Sequence, residues 1–321
     1  MMLEGDSSLA FREMQVDQLA TLNLKTKPAP LPPTVLQTPR WAHYQGAIRP
    51  YADAKLHIAA EGVVRGLNVF EGLKGFWQPD GSFGLLAMEQ HWRRLRQSAK
   101  LLYIPFDTTL GEWSDAAHQL VQKLYTPQKQ MWIRATLYVT EGHWGVGTKS
   151  DLVLTAFHCE KGMARPVDTG VSTWQRATDV TLPYRIKTST NYQVARLAKI
   201  EGREPGYPEM ILLNQHGRVA EAVGSAVLIV RDGVIVTPPS WEGAFESITV
   251  NILEALAADL HIPFKRRPVD RTELIIADEI AFVGTLNDVV LISSLDGQAF
   301  PEARILAPLA KRHLAGGGGV D

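Results

Sequence analysis

The chain has 321 residues, with 33 Lys+Arg against 34 Asp+Glu, a formal net charge of −1, 45% hydrophobic and 21% charged residues. That length suits about two domains of ~100–200 residues, and the balance is globular rather than disordered or fibrous. Lys and Arg form no stripe that would suit nucleic acid, no apolar run approaches the ~20 residues that cross a bilayer, and a single cysteine, Cys159, excludes an internal disulfide framework.

The first residues carry early acids and no apolar run of the secretory kind, so a soluble cytoplasmic enzyme is the expectation. Residues 1–40 hold Pro28, Pro30, Pro32, Pro33 and Pro39, which favour extended chain and deny donors to a sheet; they read as an N-terminal arm. From Trp41 the pattern alternates like strands. Gln45-Gly46 marks one hairpin, and Pro79-Asp80-Gly81 marks another between strands at 69–77 and 83–87. Trp92, Leu95, Ala99, Leu102 and Tyr103 recur at helical spacing and predict a helix over 89–103. A second helix is predicted at 112–125, then strands at 131–139 and 151–158. Residues 161–168 read as a linker, closing a small α/β domain at 41–160.

The second half predicts a strand near 170–174 and a helix from 191 to about 203. Four short strands follow at 209–214, 218–222, 226–230 and 234–237, turned at His216-Gly217 and Asp232-Gly233. A helix at 247–260, a strand near 263–267, a short helix at 270–277 and strands at 278–283 and 288–294 complete it. So many short strands with few helices between them predict an α/β (α+β) chain whose larger domain, 169–310, is barrel-like rather than doubly wound. Residues 311–321, ending in four glycines and two more residues, read as a flexible tail.

Some motifs fail on inspection. Gly142–Ser150 (GHWGVGTKS) has Thr148 between Gly147 and Lys149, so it lacks the Gly-Lys-Ser/Thr of a phosphate loop and reads as a turn between strands. The nine histidines have no metal-ligand spacing, so no metal is expected. There is no G-x-S-x-G elbow. Cys159 ends an apolar strand and reads as a small hydrophobe.

What remains is an ordered set: Asn68-Val69-Phe70-Glu71-Gly72-Leu73-Lys74; His91-Trp92-Arg93-Arg94-Leu95; Arg185-Ile186-Lys187-Thr188-Ser189-Thr190-Asn191-Tyr192; Glu221-Ala222-Val223-Gly224-Ser225; Ser247-Ile248-Thr249; and Gly284-Thr285-Leu286-Asn287-Asp288. In this order and spacing, over about residues 41–310, the chain resembles the fold-type IV pyridoxal-phosphate enzymes, and most the branched-chain aminotransferase group. The resemblance implies pyridoxal 5′-phosphate (PLP) as cofactor and Lys187 as the lysine that forms a Schiff base with it and shuttles the substrate proton. It implies Tyr192 at the phenolic oxygen and Glu221 at the pyridine nitrogen, where an anion keeps the ring an electron sink. Arg94, the Ile248 and Thr249 amides at a helix N-terminus and the Thr285 hydroxyl would hold the phosphate.

On the substrate side, Arg134 in Trp132-Ile133-Arg134 matches an arginine that helps hold a distal carboxylate, for which a guanidinium fork is suited. Phe70, Tyr192 and Leu286 resemble apolar walls. Arg65 departs from the pattern, standing where branched-chain enzymes usually have a tyrosine. It could recruit a second carboxylate, change which face of the pocket holds the α-carboxylate, or point to solvent. Trp132 replaces a tyrosine and Leu286 a smaller residue. The expectation is a transaminase for an aliphatic or aromatic L-amino acid and a 2-keto acid such as 2-oxoglutarate, at least a homodimer. A D-amino acid or (R)-amine transaminase of the same fold is the alternative.

Overall fold

The computed structural model describes residues 39–77, 83–124, 130–159 and 163–315. The expected proline-rich arm, apart from its last two residues, and the Pro79-Asp80-Gly81 turn lie outside these. Gln45 and Gly46 both take positive φ and close the hairpin of β1 (Trp41–Tyr44) and β2 (Ala47–Pro50). A one-turn helix, α1 (Glu61–Val64), precedes β3 (Asn68–Trp77) and β4 (Phe83–Leu85). Helices α2 (Met88–Leu101) and α3 (Leu110–Lys123) follow. The latter starts two residues before the expected position, because Thr109 and Glu112 form a reciprocal capping box, a signal visible in the sequence as T-x-x-E.

Strands β5 (Gln130–His143) and β6 (Val146–Cys159) are longer than predicted, and Trp144-Gly145 is their positive-φ turn. Glycines 142 to 147 thus shape a hairpin rather than a phosphate loop. These strands form one mixed-length antiparallel sheet, β2-β1-β6-β5-β3-β4. Helices α2 and α3 cover one face through Leu95, Trp113 and Leu120, which meet Leu73, Met131, Ile133 and Leu154. Burying each such side chain stabilises the fold by about 1.5–3 kcal/mol.

The second sheet is built from β7 (Val167–Gln175), β8 (Glu209–Leu213), β9 (Val219–Ala222), β10 (Ala226–Arg231), β11 (Val234–Thr237), β12 (Phe264–Arg266), β13 (Glu279–Gly284), β14 (Asp288–Leu295) and β15 (Gln298–Ala299). Its order is β12-β11-β10-β13-β14-β7-β8-β9, with β15 beside β14. Strands β9 and β10 are consecutive in the chain yet five steps apart along this order, about 24 Å on a flat sheet. Only Val223, Gly224 and Ser225 join them, reaching at most about 15 Å. The sheet must therefore curl, and the Ala222 N–H donates to the Ser225 carbonyl across the seam. This is the barrel-like form expected.

Strand β10 (AVLIVR) is apolar up to its last residue, Arg231, because both its faces are covered. Val227 and Ile229 point into the curl with Phe282 and Ile292. Leu228 and Val230 point outward to Leu253 of α5 (Ile248–Asp259) and Leu309 of α7 (Leu306–Ala315). Helix α4 (Tyr192–Glu201) packs Ala195 and Ala198 on Met210 and Leu212. A short helix, α6 (Arg271–Ile275), precedes β13.

The expected tail from residue 311 is corrected as far as Ala315. Leu306, Leu309, Ala310 and His313 form a helical stripe that buries against the sheet, so Lys311–Ala315 belong to α7. Residues 316–321 lie outside the described chain. Strand β7 begins at Val167, within the expected linker.

Candidate active site

The loop after β7 carries Lys187 into a cavity of about 460 Å³. Its backbone is tied to the first sheet's layer: the Lys187 N–H donates to Ser98 Oγ on α2 (3.1 Å), and its carbonyl accepts from the Phe70 N–H on β3 (2.9 Å). Asn191 tightens the loop by donating from Nδ2 to the Pro183 and Ile186 carbonyls. Lys187 Nζ donates to the Tyr192 hydroxyl at 3.1 Å. Around the amine stand the rings of Phe245 (4.5 Å), Phe70 (5.2 Å) and Tyr192 (5.8 Å), so it projects into a largely aromatic enclosure.

Glu221, on β9, lines the same cavity and is buried. Arg176 Nη2 pairs with its Oε1 at 2.9 Å, and the Phe245 N–H donates to Oε2 at 2.8 Å. Each carboxylate oxygen keeps acceptor capacity toward the cavity. Arg176 was not singled out in the sequence. It also bonds the Gly243 and Asn191 carbonyls, linking the carboxylate to the Lys187 loop. Glu209, another cavity residue, accepts from the Gly224 N–H at 2.6 Å, and burial pushes its carboxyl above the ordinary range.

Arg94 on α2 reaches the N-terminus of α5, where its Nη1 donates to the Glu246 carbonyl at 2.7 Å. Ser247 caps α5 by accepting from the Val250 N–H, leaving the amides of its first turn without intrahelical partners. Ser247, Ile248 and Thr285 line the cavity; Thr249 is buried behind them. Arg94 is oriented by a fully buried carboxylate: Nε and Nη2 each donate to Glu71 at 2.7 Å, and His91 Nδ1–H also reaches Glu71 at 2.7 Å. Burial alone would raise the Glu71 pKa, but Arg94 and His91 outweigh it and leave it at about 2. The sequence offered Glu71 itself only as part of the run around Phe70.

The first sheet supplies another wall. Phe70, Gly72, Trp132 and Arg134 line the cavity, and the Arg134 guanidinium lies 4.3 Å from the centre of the Phe70 ring. Leu286 lines it from the β13–β14 turn. Arg65 does not line this cavity. It sits at the end of α1, bonded to Glu61 Oε1 (2.6 Å) and stacked on Trp144 (4.7 Å), beside the exposed side chains of Val63, Val64 and Val146.

An amine, a buried carboxylate, and a guanidinium next to a helix N-terminus therefore border one cavity. That donor set fits a flat pyridine ring bearing a carbonyl, a protonatable nitrogen and a phosphate. Asn191 also lines the cavity, and its Oδ1 is buried without a hydrogen-bond partner among the described residues.

The family model for class IV amino-transferases matches residues 68–295. A probable branched-chain-amino-acid aminotransferase of Synechocystis is 33% identical over 265 residues, covering 79% of this chain and 85% of the relative. The Salmonella typhimurium branched-chain-amino-acid aminotransferase is 30% identical over 278 residues, covering 84% and 89%. Among solved structures, the Thermoproteus uzoniensis branched-chain aminotransferase with norvaline superposes with a TM-score of 0.82 at 28% identity, covering 88% of this chain and 96% of that one. The PLP form of the Thermobaculum terrenum enzyme gives 0.81 at 29%, covering 88% and 95%.

Proposed function

We propose, for a chain that belongs to the class IV aminotransferases, that its cavity binds PLP and moves the amino group of an aliphatic or aromatic L-amino acid to a 2-keto acid such as 2-oxoglutarate. Bound there, PLP supplies a carbonyl for the donor's amine and an electron sink for its Cα–H bond. The observation that carries this reading is Lys187: a primary amine in the cavity, hydrogen-bonded to Tyr192, with a buried carboxylate and an anion-binding helix end on the same walls.

Lys187 Nζ takes the donor's Cα proton and returns one to the product side. Tyr192 steers that amine through its hydroxyl. Glu221, fixed by Arg176 and the Phe245 amide, holds a proton on a facing ring nitrogen by its negative charge. Arg94 and the first amides of α5 anchor a phosphate. Phe70, Trp132 and Leu286 exclude water and receive an apolar side chain, while Arg134 offers a fork to the distal carboxylate of a dicarboxylic acceptor.

Arg65 and the altered pocket residues Trp132 and Leu286 motivated the D-amino acid and (R)-amine reading; Arg65 stands outside its own chain's cavity while the other two line it, and the likeness to branched-chain aminotransferases does not favour that alternative. The exposed setting of Arg65 beside Trp144, Val63, Val64 and Val146 suits contact with a second copy, so a homodimer is part of the proposal, as is a cytoplasmic setting. Among the described residues no helix is long and apolar enough to cross a membrane.

The test is the visible spectrum of PLP-loaded protein while L-leucine is added, with Lys187→Ala beside it. Loss of the cofactor's visible absorption in the wild type alone is the expected result. Bound cofactor that responds to D-amino acids or (R)-amines but not to L-leucine overturns the stereochemical part, and no response to any donor overturns the whole. Light scattering tests the dimer: twice the mass of one chain is the expected result, and purely monomeric protein removes it.

A further inference from the structure

Strand β3 sends Phe70, Gly72 and Lys74 to one face, since side chains alternate along a strand. The first two line the cavity and Lys74 does not. It is nonetheless 2% exposed, and its Nζ donates to the Leu286 carbonyl at 3.1 Å and to the Asp288 carboxylate. Both partners belong to the turn between β13 and β14, in which Gly284 pairs with Asp288 and Asp288 takes a left-handed φ of 53°. Behind Asp288 stands His313 of α7, its Nε2 3.5 Å from Asp288 Oδ1. Helix α7 is itself pinned, because Glu279 accepts the amides of Arg304, Ile305 and Leu306.

A buried ammonium is a costly choice for packing alone. Apolar residues of similar volume usually hold such a place as well or better than an ion pair. What Lys74 does that an apolar residue could not is bind one face of a particular peptide group. In a trans peptide the carbonyl and the following N–H point in opposite directions. With the Leu286 carbonyl held toward Lys74, outside the cavity, the Asn287 N–H is turned the other way, and Leu286 and Asn287 are both cavity-lining residues.

We propose that Lys74 is a positioning residue for substrate binding: through the Leu286 carbonyl and the Asp288 carboxylate it sets the orientation of the Thr285–Asn287 turn, with His313 bracing Asp288 from behind. The turn then presents its N–H side to the anionic end of the amino acid or keto acid. This rests on the transaminase reading. It adds a residue from the first sheet that shapes substrate affinity from outside the cavity.

The experiment uses the full-length PLP-loaded protein and L-leucine as probe. Wild type is titrated first; if its visible absorption responds to no amino donor, the transaminase reading fails, independently of Lys74. Lys74→Met should load cofactor with an unchanged visible spectrum. Its apparent Kd for L-leucine should rise about 10–100-fold, the range expected when a hydrogen bond to a charged group is lost, while the limiting single-turnover rate stays within about threefold. Lys74→Arg should recover most of the affinity. Because Lys74→Met leaves Asp288 buried without its partner, the pair Lys74→Met/Asp288→Leu is measured alongside, removing both charges. Unchanged Kd in either folded variant overturns the proposal, as does a fall in limiting rate with Kd unmoved. A double variant that fails to fold also overturns it, in favour of a purely structural ion pair.

Discussion

Gly72 on β3 and Trp132 on β5 are in direct contact: a Cβ on Gly72 would lie 2.9 Å from two atoms of the Trp132 indole. The indole lies against bare backbone and forms part of the cavity wall, tilted on Phe157 at 5.7 Å between ring centres. Gly72→Ala must displace the ring, an overpacking that costs about 1–3 kcal/mol. The expected result is a narrower pocket. The KM for L-leucine should rise about tenfold or more while that for L-alanine changes little, as steady-state kinetics with the two donors would reveal.

Tyr192 is the one hydroxyl bonded to Lys187 Nζ among the described contacts. Tyr192→Phe keeps the ring against Phe70, whose centre is 5.4 Å away, and removes only that bond. The limiting rate of the donor half-reaction should fall about 10–100-fold, with donor KM nearly unchanged. Stopped-flow absorbance separates the two quantities.

Glu221 carries the charge that Arg176 neutralises. In Glu221→Gln the shape is kept and the charge lost, leaving Arg176 as a buried cation without its counterion, a destabilisation of about 3–5 kcal/mol. The half-reaction should slow by about 10²-fold or more. Arg176→Gln alone should slow it less, because the carboxylate keeps its bond from the Phe245 amide. Single-turnover rates together with urea midpoints for the two variants would test this.

The buried group around Glu71 predicts an acid limb to stability. With a folded pKa of about 2 against an ordinary 4.5, Glu71 contributes stability that is complete above about pH 4.5 and is lost as pH falls through 2. The full contribution is about 3 kcal/mol, of which about 2 kcal/mol is gone by pH 3. His91, held below its ordinary 6.5 mainly by burial, adds a loss that begins as pH drops below that value. Urea unfolding from pH 7 to 3 should therefore bring wild type and Glu71→Gln closer together. A constant gap between them would refute the assignment.

The turns and several element positions were readable from local chemistry alone. Gln45-Gly46, Gly217 and Asp232-Gly233 take the positive φ that such pairs favour, and the run from Arg185 to Tyr192 carries the amine into the cavity. Glu221, Arg94 and Thr285 were singled out only through the resemblance that the ordered motifs carry, and all three line the one cavity. Lys311–Ala315 were misread since the glycines beyond them masked a short amphipathic stripe whose purpose appears only once a sheet is there to cover.

What the tertiary structure alone decided is which distant groups meet. Lys74 and Asp288 are 214 residues apart, Arg94 and the Glu246 carbonyl 152, and Arg176 and the Gly243 carbonyl 67. No periodicity within a helix or strand encodes such pairs, because they arise from two sheets closing over one cavity. Arg65 shows the same dependence: its motif position suggested the pocket, while within its own chain the end of α1 sets it against the buried Glu61 carboxylate and the exposed Trp144 indole. Local sequence settles where the backbone turns and which residue types are available; burial and long-range packing settle which charges are paired, and so which side chains face the chemistry.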